Sequence, residues 1–177
     1  IKSHYVNGVF AQSQKTEYSE YYPDVIRPNK EFYKKNGAIE EPIILYNNYD
    51  SKGNPTEIQK ANGIQVAYLW GYNQTLPVAK VENATQAQLT ALNLNMALIS
   101  DSGASESAMR TELQKIRTGL TDAMVTTYTY QPLVGVTSIT DPKGDTVYYS
   151  YDGLGRLDTV KDAQGNILSK NEYHYKN

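Results

Sequence analysis

Short runs of strand-forming residues alternating with polar ones recur along the last third of the chain. Each run stops at an aspartate followed three positions later by glycine. Asp141 to Gly144, Asp152 to Gly155 and Asp162 to Gly165 are the stops, and Tyr128/Tyr130, Tyr149/Tyr151 and Tyr173/Tyr175 stand two apart within the runs. Aspartate at the first position of a turn accepts hydrogen bonds from the backbone that follows it, and glycine at the fourth takes the positive φ that closes the turn. Pro142 presets φ where such a turn needs it. The glycines recur at steps of eleven and ten residues. With about four residues spent on each turn, strands of about six remain, too short for the usual helix. Consecutive β-hairpins are predicted.

The first half carries the same pitch. Asp50 to Asn54 repeats the turn, and Gly63 follows Gly53 by ten residues. Strands are expected over 42–49, 55–60, 64–72 and 76–81. Upstream, 4–12 and 15–22 alternate loosely and are expected as two strands, with Asn7-Gly8 as a turn or bulge. Residues 23–41 hold two prolines, Lys34-Lys35 and Asn36-Gly37, which predict a connection with one short strand over 30–33. Tyr68, Trp70 and Tyr72, spaced by two, are expected on one face of their strand, either as sheet-helix core or as a ligand-binding face.

The period changes after Glu82. Thr85 and Gln88 form a capping box, and Leu89, Leu92 and Met96 recur at helical spacing. Glycine and four serines over 100–107 break that helix. Met109, Leu113, Ile116 and Leu120 then define a second helix, ending near Gly119. The expected fold is mainly β: an antiparallel β-hairpin meander with an inserted helical hairpin packed on it. One domain is expected over 1–177, with 1–82 as first meander, 83–120 as helical insertion and 121–177 as second meander.

Composition narrows the function. Seventeen basic residues against 19 acidic ones leave no electrostatic footprint for nucleic acid, and no apolar run approaches a membrane span. Without cysteine there is no disulfide, thiolate metal site or cysteine nucleophile. His4 and His174 lie near the two termini, away from any carboxylate-rich metal spacing or Ser/His/Asp grouping, and read as exposed strand residues. Neither a Gly-x-Ser-x-Gly elbow nor a glycine-rich phosphate loop is present. Asp50 and Asn54 lack the spacing of a calcium loop and read as turn-formers. No cofactor, metal or catalytic residue is assigned. Sixteen tyrosines against two phenylalanines suit a sheet whose side chains are apolar along the flank and wet at the tip. The chain, opening inside a strand, reads as cut from something larger, with edges at which it can pair with itself.

Tyr151-Asp152-Gly153-Leu154-Gly155-Arg156-Leu157, followed by Val160, Asp162, Gly165-Asn166 and Tyr173, resembles the YD repeat of Rhs and teneurin-type proteins. Tyr49 to Asn54 is similar to a second copy, and Tyr68-Leu69-Trp70-Gly71-Tyr72-Asn73-Gln74 with Pro77-Val78-Ala79-Lys80 resembles the carboxy-terminal part of bacterial proteins of this kind. The resemblance covers 42–82 and 124–175 well, 1–41 weakly and the helical insertion hardly at all. It implies a secreted or cell-surface protein whose sheet spirals into a shell around a carboxy-terminal passenger, with neighbouring repeats as partners. The function it implies is structural and non-enzymatic; a glycan- or protein-binding module using the Tyr/Trp face is the alternative. Some shells of this family cut themselves near paired Asp-Pro-x-Gly segments. Asp141-Pro142-Lys143-Gly144 matches one, whereas Asp162-Ala163-Gln164-Gly165 lacks the proline, and a turn role is the expectation for both.

Overall fold

A computed structural model describes residues 1–101 and 103–173; His174 and Tyr175 lie outside the described residues. Twelve strands form one antiparallel sheet in chain order, each hydrogen-bonded to the next. They are β1 Lys2–Val6, β2 Val9–Tyr22, β3 Val25–Lys35, β4 Glu41–Tyr49, β5 Pro55–Lys60, β6 Gln65–Gly71, β7 Leu76–Glu82, β8 Met124–Gln131, β9 Gly135–Thr140, β10 Thr146–Tyr151, β11 Leu157–Lys161 and β12 Ile167–Lys170. Three helices intervene between β7 and β8: α1 Gln86–Ala91, α2 Met96–Ser100 and α3 Glu106–Gly119. Among the described residues β1 and β12 do not pair, so the sheet is a meander and not a closed barrel.

The core lies where the helices meet β6, β7 and β8. Ala67, Leu69, Ala79, Val81 and Val125 from the sheet meet Leu89, Ile99, Met109, Leu113 and Ile116 from the helices, all buried. Full burial of each large apolar side chain contributes about 1.5–3 kcal/mol, which makes this the most stabilised part of the molecule. By contrast β1 and β12 are exposed along their whole length.

Four expectations need correction. Residues 25–35 form a full strand, not a connection, because Pro28 sits beside a register shift between Glu17 and Tyr18 of β2, where a missing N–H breaks no regular ladder. Pro42 and Pro77 likewise border shifts, and Pro55 opens β5. The second strand begins at Val9, with Asn7 (φ 50°) and Gly8 (φ 76°) as the hairpin turn, and runs unbroken to Tyr22. Met96 does not continue α1: Asn93 turns left-handed at φ 48°, and Asn95 caps a separate α2. Among the described residues the insertion therefore holds three helices, with the short α2 between the two that the spacing predicts. The capping box of Thr85 and Gln88 is present, and α3 runs to Gly119, with Ser105 as its N-cap.

The fourth correction concerns Tyr72, which leaves the expected stripe. It lies beyond β6 at φ 48°, followed by Asn73 and Gln74 at 62° and 60°. This left-handed turn is held by α2, whose Ile99 and Ser100 carbonyls accept the N–H groups of Tyr72 and Asn73 at 3.1 and 3.0 Å. The same contact turns the Tyr72 ring into the helix-side core.

Candidate functional site

Four turns share one hydrogen-bond pattern. At Asp50, Oδ1 accepts the backbone N–H groups of Lys52 and Asn54, each at 2.9 Å, while the main chain closes from Gly53 N to Asp50 O at 2.9 Å. Asp141 does the same with Lys143 (2.8 Å) and Asp145 (3.0 Å), Asp152 with Leu154 (2.9 Å) and Arg156 (3.0 Å), and Asp162 with Gln164 (2.9 Å) and Asn166 (2.8 Å). Gly53, Gly144, Gly155 and Gly165 all take positive φ, between 74° and 96°. In three turns the second carboxylate oxygen is also used: Asn54 and Asn166 donate side-chain N–H groups at 2.9 and 2.8 Å, and Arg156 donates Nε at 2.8 Å. A backbone N–H and the guanidinium of Arg156 hold Asp152 below the usual aspartate range, and the Asn166 amide does so for Asp162.

Strand alternation places the turns at two ends of the sheet. Asp50 and Asp152 share one end; Asp141 and Asp162 share the other, separated by β10 and β11 and so by about 10 Å at ordinary strand spacing. Catalytic carboxylates that share a proton drive one pKa upward. Asp162 instead moves downward, which is the behaviour of a hydrogen-bond acceptor fixed in its ionised form.

The other candidate is the sheet face opposite the helices. Tyr68 stands across from Lys80 and shares that face with Trp70, Tyr46 on β4 and Tyr128 on β8, all half-buried. Trp70 donates Nε1–H to the Pro55 carbonyl at 2.9 Å. Beside them Lys60 and Lys80 both bind Glu82, each at 2.5 Å, and these cations hold its carboxyl below the usual range. Burial pushes the Tyr68 phenol up. Tyr68 and Trp70 are thus together, and Tyr72 is apart from them.

A cluster that the spacing did not reveal joins β2 to β4. Tyr21 and Tyr49 have ring centroids 4.6 Å apart, and Tyr46 stacks on Tyr49 at 5.8 Å. Tyr21 donates to the Tyr46 carbonyl at 2.6 Å, Tyr22 to the Tyr49 carbonyl at 2.7 Å, and Tyr46 to the Glu31 carboxylate at 2.7 Å. Burial pushes Tyr49 up to about 12. Tyr21 and Tyr22 lie 25 and 27 positions from Tyr46 and Tyr49, whose carbonyls they bind, so local periodicity gives no signal for the cluster. Among the described residues no group of three or more His, Asp or Glu could hold a metal ion, and no helix is long and apolar enough to cross a membrane.

No curated protein matches the chain. Among solved structures, the crystal structure of TcdB2-TccC3 aligns with 87% of this chain at 13% identity and a TM-score of 0.49. The Tc holotoxin pore of Photorhabdus luminescens aligns with 96% at 12% identity and a TM-score of 0.45. The alignments span 6% and 9% of those chains respectively. The RHS Repeat family model matches residues 134–167, which hold β9 to β11 and the turns at Asp141, Asp152 and Asp162, so this stretch of the chain is similar to an RHS repeat.

Proposed function

We propose that this chain is a non-catalytic structural segment that propagates a YD-repeat sheet within the shell of a secreted or cell-surface protein. Its partners on this reading are neighbouring repeats of the same polypeptide or a passenger that the shell covers. The observation that carries the proposal is the reuse of one turn: Asp50, Asp141, Asp152 and Asp162 each spend their carboxylate on the backbone of their own hairpin. Such a device sets the register of the next strand without reference to what lies beyond it, which is what a sheet built by repetition requires.

The test is to append a further copy of residues 134–167 after Asn177 and follow amide exchange. The added copy is expected to fold onto β12, slow the exchange of Ile167–Lys170 and raise the unfolding midpoint. An added copy that exchanges freely and leaves β12 unprotected would contradict propagation.

A second reading uses the face bearing Tyr68 and Trp70 to bind a glycan or protein. It is favoured by the location of these rings, with Tyr46 and Tyr128, on the face the helices leave open. Aromatic rings beside a Lys-Glu-Lys relay suit a polar ligand with apolar faces. On a glycan array, binding by the parent chain and loss of it in Trp70→Ala would establish this role; absence of binding by both would remove the glycan version.

A further inference from the structure

One face of α1 is only partly spent on the core. Gln86, Leu89 and Thr90 stand three and four positions apart and so share that face, with Asn93 one step further on. Between this face, β6 and the start of α2 lies a cavity of about 360 Å³. Its floor is Leu69 and Leu89, exposed to only 7% and 2%, and at its mouth stands Met96, 44% exposed. Leu69 alternates with Tyr68 and Trp70 along β6, so the cavity is on the opposite side of the sheet from those rings.

Hydrogen bonds at both ends hold the walls apart. The Glu57 carboxylate accepts the Gln86 N–H at 2.6 Å where α1 starts, and the Glu112 carboxylate accepts the Asn95 N–H at 2.8 Å where α2 starts. The far end of α2 is fixed by the Tyr72 and Asn73 N–H groups on the Ile99 and Ser100 carbonyls. The two helices cannot slide together to fill the space without breaking these bonds. Protein interiors hold few voids larger than a water molecule, whereas small-molecule sites are apolar clefts of about 300–1,000 Å³ with a few polar groups.

We propose that this cavity binds a small, uncharged amphipathic molecule: an apolar body of about two rings carrying one N–H or O–H donor. The size follows from the volume, since an apolar cavity of about 150 Å³ holds one benzene and this one is more than twice as large. None of the lining residues is charged, and a charged ligand would lose its hydration there without a partner. The donor follows from Gln86. Its side-chain oxygen is buried without a hydrogen-bond partner among the described residues, and an unpaired buried acceptor destabilises until a donor reaches it. The last side-chain torsion of glutamine is soft, so this oxygen turns readily to a donor that enters beside it. The Thr90 hydroxyl and the Asn93 amide, also on the lining, already donate to the Gln86 and Ala91 carbonyls at 2.9 and 3.2 Å, which leaves their oxygens as further acceptors.

Indole is the probe, and N-methylindole, which has no donor, is its control. Titrations followed by amide chemical shifts are expected to move Leu69, Leu89 and Leu94 with both compounds. Indole is expected to bind about threefold to tenfold more tightly, the worth of one hydrogen bond. Gln86→Met keeps the length of the side chain and removes the oxygen, and is expected to bind the two compounds equally. Thr90→Trp, at an exposed position of α1, fills the cavity and is expected to abolish binding of both. No shifts with either compound, shifts confined to Tyr46 and Tyr128 on the opposite face, equal binding by the parent chain, or a preference retained in Gln86→Met would each overturn the proposal. Tighter binding of N-acetyltryptophanamide than of indole would assign the cavity to a side chain of a partner protein and overturn it as well. Should either variant fail to melt cooperatively, the comparison of indole with N-methylindole on the parent chain decides alone.

Discussion

The phenol oxygen of Tyr72 accepts the backbone N–H of Tyr130 at 2.8 Å, and the two rings meet edge to face with centroids 5.6 Å apart. The partners are 58 positions apart, on opposite sides of the helical insertion. This contact ties the first half of the meander to the second at a point where the helices also pack. The Tyr130 phenol returns a bond to the Pro77 carbonyl at 2.9 Å, and burial pushes its pKa up to about 12.

Tyr72→Phe keeps the ring and removes the acceptor. The Tyr130 N–H then lacks its partner in a largely buried setting, which costs about 1–3 kcal/mol. Urea denaturation is expected to show a lower midpoint with an unchanged slope. A midpoint equal to the parent's would mean that water replaces the phenol oxygen without loss.

Gly71 is required for space. A Cβ there would lie 2.7 Å from the Ile99 carbonyl oxygen and 2.7 Å from a Val78 methyl. Because the nearest obstacle is backbone, Gly71→Ala is expected to push α2 away from β6 at a cost of about 1–3 kcal/mol, as for overpacked cores. Thermal melting checks this; an unchanged or higher Tm would show that α2 moves freely.

Gly155 and Gly153 share a turn and separate conformation from space. Gly155 has φ +74° and only a Val134 methyl at 3.8 Å from its would-be Cβ, while Gly153 has open space and no positive φ. Gly155→Val forces a β-branched residue into the left-handed region and is expected to destabilise by at least about 1–2 kcal/mol. Gly153→Ala is expected to be neutral or to stabilise by up to about 1 kcal/mol through the unfolded state. Urea midpoints in the opposite order would reject the turn geometry.

Glu112 provides a pH signature for the insertion. Buried on α3, it accepts two bonds from Lys115 at 3.0 and 2.8 Å and the Asn95 N–H at 2.8 Å, so it anchors the residue that caps α2. The Lys115 ammonium, followed by the Asn95 N–H, holds its pKa below the usual glutamate value. A lowered folded pKa contributes stability that is present above the unfolded value and lost as pH falls through the folded one. Glu112→Gln is therefore expected to destabilise at neutral pH and to converge with the parent in acid, measured as the difference in urea midpoint against pH. A difference that grows on acidification would reverse the assignment.

The hairpin turns were legible because their chemistry is local: Asp50, Asp141, Asp152 and Asp162 act on residues two to four positions ahead. Helix starts at Thr85 and the stripe through Met109, Leu113 and Ile116 were legible for the same reason. What escaped depends on partners distant in sequence. Pro28 reads as a breaker until the register shift in β2 that accommodates it is known. Met96 fits the α1 period, but Asn93 breaks the helix before it. Tyr72 fits a strand stripe, yet the carbonyls of α2 hold its turn. Likewise the Tyr21, Tyr46 and Tyr49 cluster exists only once β2, β3 and β4 lie side by side.

The most direct test is urea denaturation of four single variants, Asp50→Ala, Asp141→Ala, Asp152→Ala and Asp162→Ala, with amide exchange read at the turns. If these carboxylates close the repeated turn, all four variants are expected to unfold at lower urea. Faster exchange is expected at the amides each aspartate held, such as those of Leu154 and Arg156 for Asp152. Unchanged midpoints and unchanged exchange in all four would contradict a structural role for these aspartates.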